Sequence, residues 1–174
     1  PNGELCLADA SDAAHSSVGD IVREYQAKYQ HIVYKKIENK GIAANTNAAA
    51  ELASGEYLAL ADHDDILAPH AMYTMGQAIR QLREAGEPDG FLYSDEALFT
   101  KKIEKPLVAH FKPDYAPDYL LCCNYICHLA VFRRELFEQV GGERPECDGS
   151  QDHDLFLRLI EQVGGAAHVP QVLY

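Results

Sequence analysis

Three carboxylates crowd one short stretch of this 174-residue chain, Ala61-Asp62-His63-Asp64-Asp65. Asp62 and Asp64 form an i, i+2 pair directly after an apolar run. Such a pair suits a hard divalent cation, which takes oxygen ligands and completes its shell with waters or phosphate oxygens. Mg²⁺ or Mn²⁺ held by one or two carboxylates and a diphosphate is the chemistry this spacing suggests. Without a cation or hydrogen bonds, so many acidic groups together repel one another. The competing reading is a polar turn in which Asp65 caps the following helix and His63 is a neutral spacer.

The elements that must position this turn follow from hydrophobic patterning. Residues 4–8 and 32–37 read as strands, and residues 18–29 and 42–53 as helices. Residues 57–61 are apolar throughout and predict a strand buried on both faces. This strand-helix alternation predicts an α/β fold with a mostly parallel sheet flanked by helices. In such sheets ligands bind beyond the carboxyl ends of the strands. Asp9, after the first strand, and Asp62 to Asp65, after the third, then face one rim. Further along, residues 70–85, 134–140 and 152–163 predict helices. Residues 90–93 and 129–132 predict strands, with Ser94-Asp95-Glu96 following the first of these. The proline-rich segment 101–117 predicts an irregular excursion over the rim.

Composition narrows the class. The net charge is −12 and the hydrophobic fraction 47%. An acidic chain is unsuited to nucleic-acid backbones, which are held by Lys and Arg, whereas one that handles diphosphates needs a cation. No stretch approaches the roughly 18–20 apolar residues of a membrane-spanning helix. Five cysteines, an odd set without a CxxC pair, read as reduced thiols of a cytosolic protein; zinc is set aside for want of a fourth ligand beside Cys123, Cys127 and His128. The abrupt start at Pro1 and end at Tyr174 read as truncation at both ends.

The stretch from Asn39 to Pro69, NKGIAANTNAAAELASGEYLALADHDDILAP, resembles the signature of family 2 glycosyltransferases with the GT-A, Rossmann-like fold. Tyr93-Ser94-Asp95-Glu96, Phe111-Lys112-Pro113-Asp114, Asn124-Tyr125 with His128-Leu129, Gly141-Gly142 and Ser150-Gln151-Asp152-His153-Asp154-Leu155 extend the resemblance. They are similar to a subgroup of bacterial surface-polysaccharide enzymes, often rhamnosyltransferases. The resemblance implies a single domain, with about residues 1–68 binding a nucleotide sugar and about residues 69–174 on the acceptor side. It implies inverting transfer from a UDP- or dTDP-linked donor to a glycan, or a lipid-linked glycan, with Mn²⁺ or Mg²⁺ as cofactor. The enzyme would act in the cytoplasm, with the inner membrane face a candidate point of peripheral contact for the full-length protein.

Carried over by position, Asp9 contacts the base and ribose, and Asn47 lies near the donor, although satisfying a neighbouring loop explains Asn47 equally well. Asp62 lies near the ribose and the water shell of the metal, and Asp64 ligates the metal. Asp152 is the base that takes the acceptor hydroxyl proton; the alternatives are a turn residue for Asp9 and a helix cap for Asp152. Asp95, Glu96 and Gln151 are candidate acceptor or sugar contacts. Lys112, His110 and His128 are candidate contacts for an anionic acceptor or phosphate, with a solvated loop charge the preferred reading of each. Two departures stand out: Gln151 replaces the Glu that usually precedes the base, and Thr46 stands where many members carry Arg. The resemblance also implies an earlier strand with a donor loop and a later His-containing motif. A noncatalytic binding domain and a metal-dependent phosphate-ester hydrolase are the competing functions.

Overall fold

The computed structural model describes residues 3–15, 17–100 and 105–174. The chain divides into two compact units, one of Pro1–Glu56 with Gly141–Leu155, the other of Tyr57–Val140 with Phe156–Tyr174.

In the first unit, strands β1 (Leu5–Asp9) and β2 (Ile32–Lys36) pair in parallel, Leu5 opposite Ile32 and Asp9 opposite Lys36. Helix α1 (Ser17–Gln26) makes the crossover between them. The Gln26 side chain donates to the Ile32 carbonyl at 3.0 Å, tying the end of the helix to the start of β2. Helix α2 (Ile42–Ala50) follows, its run of Ala costing little side-chain entropy.

The second unit holds a five-stranded sheet. Its strands are β3 (Tyr57–Ala59), β4 (Phe91–Leu98), β5 (Val108–His110), β6 (Ala130–Arg133) and β7 (Ala167–Val172). Helices α3 (Ala71–Ala85), α4 (Pro117–Cys122) and α5 (Arg134–Gln139) belong to this unit. Helix α6 (Gln151–Val163) begins in the first unit and ends in the second. Strand β4 is central: it pairs antiparallel with β6 and β5 and parallel with β7. Its residues Phe91, Leu92 and Tyr93 are wholly buried. Phe91 stacks on Phe132 at 5.9 Å and meets the edge of Phe156 at 5.3 Å. Gly90, just before β4, sits where a Cβ would come within 2.6 Å of Val163, so close helix-strand packing there requires glycine.

The α/β class with helices flanking sheets agrees with expectation, but the pairing does not follow the mostly parallel pattern. Among the described strands only β1–β2 and β4–β7 are parallel, because β6 returns between β3 and β4 and runs antiparallel to both. Nor is the third strand buried on both faces: β3 buries Leu58 and exposes Ala59. It pairs with β6 alone among the described strands, so the doubly covered strand is β4. Strand β4 also runs beyond Tyr93 and takes in Asp95 and Glu96, which were expected to follow it. In the expected excursion over 101–117, residues 101–104 lie outside the described residues, and Val108–His110 form β5 against Glu96–Leu98.

A buried ionic knot ties β3, α3 and β6 together. Asp89 accepts hydrogen bonds from the Tyr57 hydroxyl (2.7 Å), Arg83 Nε (2.6 Å) and Arg133 Nη2 (2.8 Å). Burial raises the Asp89 pKa, but the donors Arg83, Tyr57 and Arg133 outweigh it and hold the carboxyl well below the usual range. A carboxyl depressed in the folded state supplies stability above its unfolded value of about 4 and loses it as pH falls through the folded value. Asp89→Ala, which removes the acceptor these groups share, is expected to cost about 3 kcal/mol, read as a lower urea midpoint. Asp89→Asn should flatten the fall in melting temperature below about pH 4.

Candidate functional site

The acidic turn leaves the carboxyl end of β3. It is closed by the Asp65 N–H, which donates to the Asp62 carbonyl at 3.3 Å. The Asp62 and Asp64 side chains are 63% and 76% exposed, so both carboxylates are open to a ligand. His63 points into solvent, its Nδ1 3.9 Å from Asp64. Asp65 is not a helix cap: α3 starts only at Ala71, with His70 at its cap position. Burial pushes the pKa of the Tyr174 hydroxyl far above the usual phenol value, and the negative charge of the Asp65 carboxylate adds to the rise. The same hydroxyl accepts the Asp62 N–H at 2.9 Å.

Behind the turn lies a set of polar groups whose connections the sequence did not reveal. His128 stacks on Tyr174 at 4.7 Å and presents Nε2 to Asp62 Oδ2 at 3.4 Å. Glu96 accepts from Lys112 Nζ (3.2 Å) and the His128 N–H (3.3 Å), and its other oxygen meets His110 Nδ1 at 3.1 Å. Lys112 is not a solvated loop charge. Its side chain is 3% exposed, and its ammonium also donates to the carbonyls of Ile126 and His128. Desolvation lowers its pKa, opposed by the nearby Glu96 charge. A pocket of about 120 Å³, lined by Asp65, Glu96, Leu98, Cys127, His128 and Tyr174 among others, opens beside the turn.

Asp95 does not offer a surface contact. It is buried, accepting the Lys112 N–H at 2.8 Å and facing His168 Nε2 at 2.9 Å. It ties β4 to β7 instead of reaching outward. Glu96, 14% exposed and lining the pocket, is the member of this pair that can meet a ligand.

The remaining candidates lie in the first unit. Asp9 ends β1 and is held from several directions: by the Ser11 N–H (2.9 Å), the Ser11 hydroxyl (2.5 Å), the Tyr34 hydroxyl (2.7 Å) and Lys36 Nζ (3.1 Å). Burial raises its pKa, but these donors prevail and keep it ionised well below the usual range. Asn47 uses both ends of its amide on one loop residue, donating to the Glu143 carbonyl and accepting the Glu143 N–H, each at 2.8 Å. Of the two roles open to Asn47, the loop-holding one is the one its contacts serve.

The loop 141–151 is fastened a second time. Asp148 accepts from the N–H groups of Ile42 (3.2 Å) and Ala43 (2.9 Å), capping α2 from afar. Gly41, with φ of 100°, lies where a Cβ would meet Asp148 at 2.5 Å. This loop leads into α6, where Asp152 stands inside the first turn and not before it, with its Oδ1 accepting the His153 N–H at 2.8 Å. Gln151 accepts the Gly149 N–H at 2.8 Å, a loop-closing bond.

Among the described residues, no group of three or more His, Cys, Asp or Glu could hold a metal by protein ligands alone. The pair Asp62 and Asp64 still fits Mg²⁺ or Mn²⁺: both are hard, exposed oxygen donors, and such ions keep waters and take phosphate oxygens as further ligands. The five cysteines are free of disulfides, and none of the described helices is long and apolar enough to cross a membrane.

An α/β domain with an exposed acidic turn at a strand end is the class these features define. Residues 4–141 match glycosyl transferase family 2, and the chain belongs to that family. It is 33% identical over 171 residues to the O-antigen biosynthesis protein RfbC of Myxococcus xanthus, covering 98% of this chain and 13% of RfbC. The fold matches S. aureus TarS 1–349 in complex with UDP-GlcNAc, with a TM-score of 0.72, 16% identity, and coverage of 98% of this chain and 48% of TarS. It also matches the mannosyltransferase PcManGT of Pyrobaculum calidifontis, in complex with GDP-Man and Mn²⁺, with a TM-score of 0.63, 20% identity, and coverage of 97% and 46%. The fold is thus that of GT-A glycosyltransferases. The chain spans 13–19% of the length of the curated relatives it first matches.

The roles of Asn47 separate experimentally. Asn47→Ala leaves the Glu143 N–H and carbonyl without their partner and is expected to cost about 1–3 kcal/mol, seen as a lower melting temperature. The stabilisation by added nucleotide, measured relative to the variant's own baseline, should stay at the wild-type value.

Proposed function

We propose that this chain is the catalytic GT-A domain of an inverting glycosyltransferase of cell-surface polysaccharide synthesis. The donor is a UDP- or dTDP-linked hexose or deoxyhexose, a rhamnosyl donor being the subgroup's choice, and the acceptor is a hydroxyl of a glycan or lipid-linked glycan. The observation that carries the reading is the pair of exposed carboxylates, Asp62 and Asp64, on an ordered turn at a strand end in a chain of family 2. The likeness to an O-antigen biosynthesis protein supports the product class. The nucleotide sugars bound to TarS and PcManGT support the donor class, and the Mn²⁺ of PcManGT supports the metal.

The residues divide the work. About residues 1–68 bind the donor and about residues 69–174 serve the acceptor. Asp9, kept ionised by Ser11, Tyr34 and Lys36, offers a fixed acceptor to base and ribose donors. Asp62 and Asp64 are the metal ligands, and the bound cation offsets the charge of the diphosphate. Glu96 meets a sugar hydroxyl at the pocket. Asp152 takes the proton of the acceptor hydroxyl as its oxygen attacks the anomeric carbon. The bond from that carbon to the diphosphate oxygen breaks, the electron pair leaves on the diphosphate, and attack from the opposite face inverts the centre. Gln151, by fastening Gly149, steadies the turn that carries Asp152. The site of action is the cytoplasm, with peripheral contact at the inner membrane face for a lipid-linked acceptor.

Thermal-shift titration of the chain with UDP and dTDP tests the donor site. A stabilisation that grows with ligand, requires Mn²⁺ and vanishes in Asp64→Ala is expected; no metal-dependent shift would remove the donor reading. In the parent enzyme, Asp152→Asn should lower kcat by roughly 10²–10⁴-fold while leaving the nucleotide shift intact. Retained turnover in that variant would assign the base elsewhere.

A further inference from the structure

The acidic turn is held from behind by two aromatic rings, and each holds a different part of Asp62. The Tyr174 hydroxyl accepts the Asp62 N–H at 2.9 Å, so it fixes the backbone at the start of the turn. His128 presents Nε2 to the Asp62 carboxylate at 3.4 Å. The rings stack on each other at 4.7 Å with an interplanar angle of 19°, so neither turns without the other.

His128 is itself anchored. Its N–H donates to Glu96 at 3.3 Å, and its carbonyl accepts from the buried Lys112 ammonium. Its Nδ1 is buried without a hydrogen-bond partner among the described residues. Asp62 is therefore the polar group toward which Nε2 of the ring is oriented.

From this geometry we infer that His128 and Tyr174 are positioning residues for the metal-binding turn, fixing the backbone and carboxylate direction of Asp62 before a ligand arrives. The inference rests on the proposed metal role of Asp62 and Asp64. Exposed carboxylates on a free turn would lose conformational freedom on binding a cation; a turn already held does not. Partners of this kind, one step removed from a metal, typically contribute 10–100-fold to affinity.

The experiment titrates Mn²⁺ into the chain with saturating UDP and follows the loss of the free-ion electron paramagnetic resonance signal. Tyr174→Phe and His128→Phe keep a ring for stacking and delete only the polar contact. Each is expected to weaken Mn²⁺ binding about 10-fold or more while the metal-free melting temperature stays near wild type. Wild-type Mn²⁺ affinity in both folded variants would overturn the inference while leaving the metal site standing. If Asp64→Ala binds Mn²⁺ as the wild type does, or the wild type does not bind it, the metal-site reading fails and the inference falls with it. Amide hydrogen exchange on the wild type needs no variant: the Asp62 N–H should be protected although its side chain is exposed. An unprotected Asp62 amide would overturn the role of Tyr174 even if a variant failed to fold.

Discussion

A buried ammonium constrains the second unit. Removing a Lys head group from water costs several kcal/mol unless charge and hydrogen bonds replace the lost hydration. Lys112 meets that requirement with the Glu96 carboxylate and the carbonyls of Ile126 and His128. Each partner then has a fixed place. Glu96 is held at the point where β4 stops pairing with β7 and begins pairing with β5, and the chain from Ile126 to His128 is drawn against it. The His128 ring that emerges lies flat on Tyr174, and the acidic turn hangs from both. The path from a solvation penalty in the interior to the direction of a surface carboxylate is continuous.

The excess of acidic groups is handled in two ways. Asp9, Asp89 and Asp95 are buried and surrounded by donors, and they hold elements together. Asp62 and Asp64 are exposed, with no comparable set of donors around them among the described residues. A chain with a charge of −12 that leaves carboxylates open in this way is suited to meeting a cation from solution, not a polyanion directly. Asp9 and Asp89, held ionised well below the usual carboxylate range by their donors, lose their stabilising role as they are protonated.

The loop before α6 shows a comparable economy in the first unit. Asp148 caps α2 and Asn47 on the same helix holds Glu143, so one helix fastens the loop at both ends. The loop leading to Asp152 and Gln151 is thereby held by hydrogen bonds between side chains and backbone groups. Gly41 leaves the space that the Asp148 carboxylate fills.

The order of strands and helices apart from β5, the acidic turn at the end of β3 and the family were legible in the sequence, because periodicity and short motifs are local properties. Asp62, Asp64 and Asp152 could be singled out because their neighbours along the chain identify them. Whether a polar residue faces a ligand or a neighbouring backbone was not legible. Asp95 and Glu96 are adjacent, yet the pleat and the partners across the sheet bury the first and leave the second at a pocket. Lys112 looked like a solvated charge because its acceptors lie up to sixteen residues away along the chain. Tyr174 and His128 carry no local signal of their role, since stacking and a hydroxyl reaching a distant turn exist only after β4, β6 and β7 have paired. The sequence by itself determined which chemical groups are present and which elements carry them. Tertiary structure decided which carboxylates are satisfied and which are left open, because desolvation and hydrogen bonding depend on what packs against each group in space.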